Sequence, residues 1–282
     1  MRISIVTPTW NRADDLARMF DSVAKQCPPP AEHIVVDNLS SDATESIVQS
    51  YASSVSYPVI HRREADRGIY DAMNHGAKIA TGDALYFLND DDALVSHDSL
   101  KTLALSLQNG RADFVFADVL VVDPATGASK LRSHRQVNRF TLAEKSICQQ
   151  ATLYTRSILE KVGPFDSTLR AAADYDWILK AFIQHAARAA YLRFPVARFS
   201  IGGISSSESN RVAFESEMQS VRLRYYDETD LARAKRFRRT WRKFPWGLSL
   251  MPDGGSAARL NVTSRIPIAG HLLPNPLAWL GF

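Results

Sequence analysis

The chain has 282 residues, 45% of them apolar and 23% charged. That allows one large α/β domain with additions, or two small domains, and makes disorder the wrong default. The net charge of +4 is local: Arg233 to Lys243 holds seven basic residues and no acidic one, and taking those seven from +4 leaves −3 on the rest.

The two cysteines, Cys27 and Cys148, form no C-x-x-C pair. A structural zinc site is therefore not expected, and both read as reduced thiols of a cytoplasmic protein. Met1-Arg2 leads into an apolar run too short for a secretory signal. No stretch approaches the ~20 apolar residues of a membrane span. The expectation is a cytoplasmic protein that crosses no membrane.

In chain order, Ile3–Val6 is a short apolar run ending near Pro8 and reads as a buried strand. Leu16, Met19, Phe20 and Val23 recur at helical spacing and mark one face of a helix. His33–Val36 is a second strand ending at Asp37, and Asp42 with Glu45 has the spacing of a capping box. Val59–His61 is a third strand; Tyr70–Ala80 is a helix for which Gly82 suits as the stop. Leu85–Leu88 is a fourth strand that runs straight into Asn89-Asp90-Asp91-Asp92. Leu100, Leu103 and Leu107 give a helix stopped by Gly110, followed by a strand over Phe114–Val122.

The second half is less regular. Pro124–Gly127 is a turn, Cys148–Tyr154 a strand, Ser157–Val162 a short helix and Asp174–Ala186 a helix with a buried face. Gly202–Ser207 reads as a flexible loop, Phe214, Met218, Val221 and Tyr225 as a further helix face, and the last ~30 residues are unassigned. The alternation predicts a mostly parallel sheet flanked by helices. Ligands of such sheets sit beyond the carboxyl ends of the strands. Thr9–Asn11, Asp37 and Asp90–Asp92 all follow strand ends and so converge on one edge.

Asp90-Asp91-Asp92 is the sharpest chemical feature. Adjacent carboxylates are costly without a counter-charge, and Mg²⁺ or Mn²⁺ is commonly held by one or two carboxylates plus substrate phosphates. The alternative is a solvated acidic turn with Asp92 as a helix cap. No glycine-rich phosphate loop follows the first strand, which disfavours dinucleotide oxidoreductases and P-loop enzymes. Trp10 has a core aromatic as its alternative reading and Asp37 a turn cap. His75 and His185 read as structural, and Asp166 as a turn cap.

Thr7–Arg12, Val35–Thr44, Asp66–Asn74, Leu88–Asp92, Val162–Asp166 and Ala173–Trp177, in that order, resemble family 2 glycosyltransferases of the GT-A fold, in particular those that build bacterial surface polysaccharides. The resemblance covers about residues 2–210. It implies a GT-A glycosyltransferase domain over 1–210, with a Rossmann-like nucleotide-sugar half (1–122) and an acceptor half (123–210), then a basic helical extension (211–282). It also implies an inverting enzyme that moves a sugar from a nucleotide-diphosphate donor, with UDP the usual nucleotide, to an acceptor hydroxyl with Mn²⁺ or Mg²⁺. By position, Pro8, Thr9, Trp10, Asn11, Asp37, Asp71 and Asp91 would bind the nucleotide or donor, Asp92 the metal, and Asp174 would be the general base. Two residues apart on a helix is about 200° of rotation, so only one of Asp174 and Asp176 faces the cleft. Ala173 stands where many members carry Glu, and Asn89 where many carry Asp.

Arg233–Gly247 interleaves basic residues with Phe237, Trp241, Phe244 and Trp246. That mixture suits an anionic membrane surface and a saccharide or lipid-linked acceptor; the alternative is a solvated helix packed on the domain. Nucleic acid is the second anionic partner such a patch suits, and none is expected here. Two competing readings are a catalytically silent sugar-nucleotide-binding scaffold on the same fold and a nucleotidyltransferase, which would normally need a glycine-rich basic loop near the first strand.

Overall fold

The computed structural model describes residues 1–108, 110–134, 137–201, 211–243 and 262–265, with backbone alone at 211, 238–243 and 262–265. The predicted loop over 202–207, Trp241, Phe244, Trp246 and the Pro- and Gly-rich end lie outside this description or outside its side chains.

The predicted elements of the first half form, with the first three strands longer than expected. The order is β1 (Ile3–Thr9), α1 (Ala13–Ala24), β2 (Glu32–Asp37), α2 (Thr44–Ser54), β3 (Val59–Arg63), α3 (Ile69–Ile79), β4 (Ala84–Phe87), β5 (Ala93–Leu94), α4 (Ser99–Leu107) and β6 (Phe114–Val122). The second half gives β7 (Ser129–Arg132), α5 (Arg139–Leu142), β8 (Thr152–Thr155), α6 (Arg156–Val162), α7 (Ala173–Leu179), β9 (Ala189–Ser200), α8 (Arg211–Tyr225), α9 (Glu228–Lys243) and β10 (Val262–Arg265). Leu16, Met19, Phe20 and Val23 are the buried face of α1, as their spacing requires.

The sheet order is β10-β9-β6-β8-β4-β1-β2-β3. Along that path only β8 is reversed, antiparallel to both β4 and β6, while β1 pairs in parallel with β2 and β4 and β6 with β9. Successive side chains of a strand face opposite sides, and two core layers result. Val6, Ile34, Val36 and Phe87 join the layer under α3 and α7. Ile5, Val35 and Tyr86 join the layer under α1 and α4. Trp177 meets Phe114 and Tyr154 edge to face in the first layer, a geometry favoured by the ring quadrupoles.

The C-terminal helices share this core. Met218, Val221, Tyr226, Ala234 and Phe237 are buried in the first layer, with Phe237 against Phe140. Within α9, Arg233, Lys235 and Arg236 remain on the exposed face. No helix among the described residues is long and apolar enough to cross a membrane. Both cysteines are free, Cys27 exposed and Cys148 buried.

Three local expectations are corrected. Asp42 and Glu45 form no capping box: the residue preceding α2 is Ala43, Asp42 accepts the N–H of Thr44 and of Ala13, and Glu45 pairs with Arg63. The strand expected from Cys148 starts only at Thr152, because a 3₁₀ turn over Gln149–Ala151 intervenes. Its Gln149 side chain donates to the Phe87 carbonyl at 3.1 Å. The helix expected over Asp174–Ala186 widens to a π turn at Lys180–Gln184.

Gly82 is not the stop of α3, which ends at Ile79. It lies against β1, where a Cβ would sit 2.6 Å from Ser4 Oγ and 2.7 Å from Ser4 N. Its own N–H donates to Ser4 Oγ at 2.8 Å. Backbone atoms cannot step aside, so Gly82→Ala is expected to lower unfolding free energy by about 1–3 kcal/mol. Chemical denaturation measures this, and an unchanged midpoint would refute the close approach.

Candidate active site

A cleft of about 600 Å³ opens where the strands end, within the size range of ligand pockets. Its walls come from the end of β1 and the residues after it (Pro8–Arg12), from residues after β2 (Asn38) and β4 (Asn89–Asp91), from Phe199 and Ser200 of β9, and from Asp174, Tyr175, Phe214 and Met218 of α7 and α8. The strand-end convergence expected from the parallel order is therefore what forms the cavity.

The loops after β1 and β2 are stitched together. Asn11 adopts φ +51°, a left-handed conformation that asparagine tolerates. Its N–H donates to Ser40 Oγ and its side-chain oxygen accepts the N–H of Ser41, both at 2.9 Å. Trp10 is 62% exposed on the cleft wall, which removes the core-aromatic alternative and leaves a free ring face. Asn38 receives the N–H of Asp66 at 3.1 Å and so ties in the loop after β3.

Asp37 and Asp71, both expected at the donor site, are held in local charge pairs beside it. Neither lines the cleft. Asp37 is 0% exposed; one oxygen accepts the Ser40 N–H at 2.9 Å, and the other faces His61 Nε2 at 3.3 Å and Arg63 Nε at 3.2 Å. Asp71 accepts the N–H and the guanidinium of Arg67, and that cation holds its carboxyl down at about 2. Each brace is a local charge pair behind the wall, with the turn-capping role foreseen as the alternative for Asp37.

The acidic run carries little compensating charge for its burial. Asp90 and Asp91 are half-buried on the wall, while Asp92 is 1% exposed and does not line the cleft. One Asp92 oxygen accepts the N–H of Ser200 at 2.9 Å, and the other is buried without a hydrogen-bond partner. Burial pushes Asp90 up to about 7. Burial, ahead of its neighbours' charge, also raises Asp91 and lifts Asp92 well above the usual carboxylate range. Arg18 and the Ser200 hydroxyl both donate to the Asp91 carbonyl, at 2.7 and 2.8 Å, which fixes the backbone and leaves the carboxylates short of positive charge. Hard oxygen donors in that state fit a divalent cation, although the described residues hold no cluster of three or more His, Cys, Asp or Glu side chains arranged around one point.

On α7, Asp174 lines the cleft and Asp176 does not. Asp176 is taken up by Arg224 and Tyr225 of α8, at 3.0 and 3.2 Å. Asp174 Oδ1 accepts the Tyr70 hydroxyl at 3.0 Å, and burial raises its pKa despite that bond. Arg132 and Arg170 line the same cleft. Asp166 is a turn cap, accepting both the N–H and the hydroxyl of Thr168, and His75 pairs with Glu64 at 3.0 Å.

Tyr70, Arg18, Ser200, Arg132 and Arg170 escape the sequence reading. Tyr70 lies in a recognised segment, but nothing in its spacing points at Asp174, 104 residues away. Arg18 sits on the polar side of an amphipathic helix, and the other three belong to no motif.

The strand order, the flanking helices and this cleft define a GT-A-type transferase. The family model of glycosyl transferase family 2 matches residues 4–163, and the chain belongs to that family and is a glycosyltransferase. A PGL/p-HBAD biosynthesis glycosyltransferase of Mycobacterium bovis is 31% identical over 226 residues, covering 78% of this chain and 85% of that protein. An uncharacterized glycosyltransferase of Haemophilus influenzae is 28% identical over 184 residues, 63% of this chain and 61% of that one. Among solved structures, S. aureus TarS 1-349 in complex with UDP-GlcNAc matches with TM-score 0.64 at 21% identity, over 89% of this chain and 76% of that one. The chain spans 46% of a longer TarS structure. The mannosyltransferase PcManGT from Pyrobaculum calidifontis, in complex with GDP-Man and Mn²⁺, matches with TM-score 0.62 at 18% identity, over 83% and 68%. These structural likenesses show the shared fold.

A carboxyl whose folded pKa is raised takes up a proton on folding at intermediate pH. Its cost is absent below the unfolded value and fully felt above the folded one. For Asp90 that window runs from the usual carboxylate range up to about 7. A cation held by these carboxylates would have to displace those protons, so its affinity would rise with pH. Mn²⁺ is therefore expected to raise the melting temperature more at pH 8 than at pH 6, and Asp92→Asn to abolish most of the rise. An equal shift at both pH values would contradict this electrostatic account.

Proposed function

We propose that the enzyme is an inverting transferase that passes a sugar from a nucleoside-diphosphate donor, a UDP-sugar in the first instance, to a hydroxyl of a saccharide or lipid-linked acceptor in polysaccharide or glycolipid assembly. The carrying observation is that one cleft is lined by an exposed aromatic, Trp10, an under-compensated acidic pair, Asp90–Asp91, and a carboxylate with a raised pKa, Asp174.

In this reading Pro8, Thr9, Trp10 and Asn11 form the nucleobase side, with the Trp10 ring able to stack on a base. Asp37 and Asp71 hold those loops from behind. Asp92, with Asp90 and Asp91 beside it, would hold Mn²⁺ or Mg²⁺. When bound, such an ion offsets charge on a leaving diphosphate. A UDP-sugar complex of one structural neighbour and a GDP-Man complex with Mn²⁺ of another support both donor classes.

Asp174 takes the acceptor hydroxyl proton as that oxygen forms its bond to the anomeric carbon. The bond from that carbon to the diphosphate oxygen breaks in the same step, and the nucleoside diphosphate leaves with the electron pair. No covalent sugar–enzyme intermediate is needed. The raised pKa makes Asp174 a stronger proton acceptor than a surface carboxylate, and the Tyr70 hydroxyl fixes its orientation. General base catalysis of this kind is worth about 10²–10⁴-fold. The enzyme works in the cytoplasm and meets the inner face of a membrane through the basic segment Arg233–Lys243.

Calorimetric titration with UDP, GDP and dTDP, each with Mn²⁺ and with EDTA, tests the donor half. One nucleotide is expected to bind in a metal-dependent manner. Asp174→Asn should leave that affinity within about twofold while lowering transfer by about 10²–10⁴-fold. Binding of none of the three would favour a silent scaffold, and full activity of Asp174→Asn would remove the base assignment.

A further inference from the structure

We propose that Glu217, on α8, is a positioning residue for Asp174. The inference rests on the reading of Asp174 as the base, and it makes α8, which lies beyond the family match at 4–163, part of the catalytic apparatus.

The segment leading into α7 is short of local support. Ala172 precedes the helix and makes no side-chain cap, and Ala has no oxygen with which to receive the N–H groups at a helix start. The support comes from elsewhere in the chain. Glu217 Oε1 accepts the N–H of Arg170 and Oε2 that of Ala171, both at 2.8 Å and across more than 45 residues. Both carboxylate oxygens are thus spent on two consecutive backbone donors, three and four residues before Asp174. A two-point clamp of this kind fixes the direction of the chain as well as its position.

α3 holds the chain a few residues earlier and reaches Asp174 itself. Asn74 donates to the Phe165 carbonyl and accepts the Phe165 N–H, both at 2.9 Å, and Tyr70 donates to Asp174 itself. Asp174 is therefore set from two helices, by Tyr70 of α3 directly and by Glu217 of α8 through the entry to α7. Neighbours of Glu217 on α8, Phe214 and Met218, continue as cleft wall. Releasing the Glu217 end frees the entry to α7 while leaving the nucleotide side of the cleft, built from β1, β2 and β4, untouched.

The test uses the full chain and needs no acceptor. Asp carboxyl carbons are labelled with ¹³C, the Asp174 resonance is identified by its loss in Asp174→Asn, and its titration is followed in the native protein, Glu217→Ala and Glu217→Gln. In the native protein Asp174 is expected to titrate above the usual carboxylate range, because burial outweighs the Tyr70 hydrogen bond. In Glu217→Ala it is expected to fall toward that range as water reaches the loosened entry, with Glu217→Gln, which keeps one acceptor oxygen, intermediate. Amide exchange should rise in the peptide spanning 168–176 and stay native in β1 and α1. Where a donor is turned over, kcat should drop by about 10–100-fold with nucleotide affinity unchanged. An unchanged Asp174 titration in Glu217→Ala overturns the proposal. Should Glu217→Ala not fold, an unshifted titration in Glu217→Gln does the same. Failure of the base reading is seen separately, as Asp174→Asn that still transfers sugar.

Discussion

Three carboxylates on consecutive residues cannot all stay ionised at the edge of an apolar sheet without a counter-charge, and the rest of the site is arranged around that constraint. β4 ends in a buried apolar run and delivers Asn89–Asp92 directly to the strand ends. Arg18 and Ser200 hold the backbone of the run by the Asp91 carbonyl, so its position does not depend on neutralising its charge. The buried Asp92 oxygen without a partner and the upward shifts along the run are the consequences. A fold retains such a cost where the charge is used.

The other half of the site follows from the reversed strand. β8 lies between β4 and β6 with opposite direction, and the 3₁₀ turn before it brings Cys148–Gln150 to the cleft floor. The chain then passes through α6 to α7, which brings Asp174 to the same cleft as Asp90 and Asp91. Neither wall is complete without residues distant in sequence. Tyr70 reaches Asp174 across 104 residues, and Ser200 reaches Asp92 across 108.

Much of this was legible in the residues. The 3.6-residue repeat of Leu16, Met19, Phe20 and Val23 gave the buried face of α1, and apolar runs closed by polar residues gave the parallel strands and their converging ends. The rotation between Asp174 and Asp176 required that they part company, and the structure turns Asp174 to the cleft and Asp176 to Arg224. What was not legible depends on pairing. Asp42 and Glu45 have capping-box spacing, yet Arg63 from β3 offers Glu45 a full charge, which outbids a backbone N–H. Asp37 is sealed by His61 and Arg63, contacts that exist only once β3 has docked on β2. The reversal of β8 leaves no periodic trace, because a strand buried on both faces reads the same in either direction.

The central claim is that donor, cation and base share one cleft. Crystals grown with the nucleotide selected by titration and with Mn²⁺, measured at a wavelength where manganese scatters anomalously, test it most directly. The account predicts a single anomalous peak within coordination distance of the Asp90–Asp92 carboxylates, the base lying against the Trp10 ring, and the diphosphate pointing toward the Asp174 wall. A peak bound elsewhere, or a nucleotide seated away from the β1 and β4 ends, would contradict it.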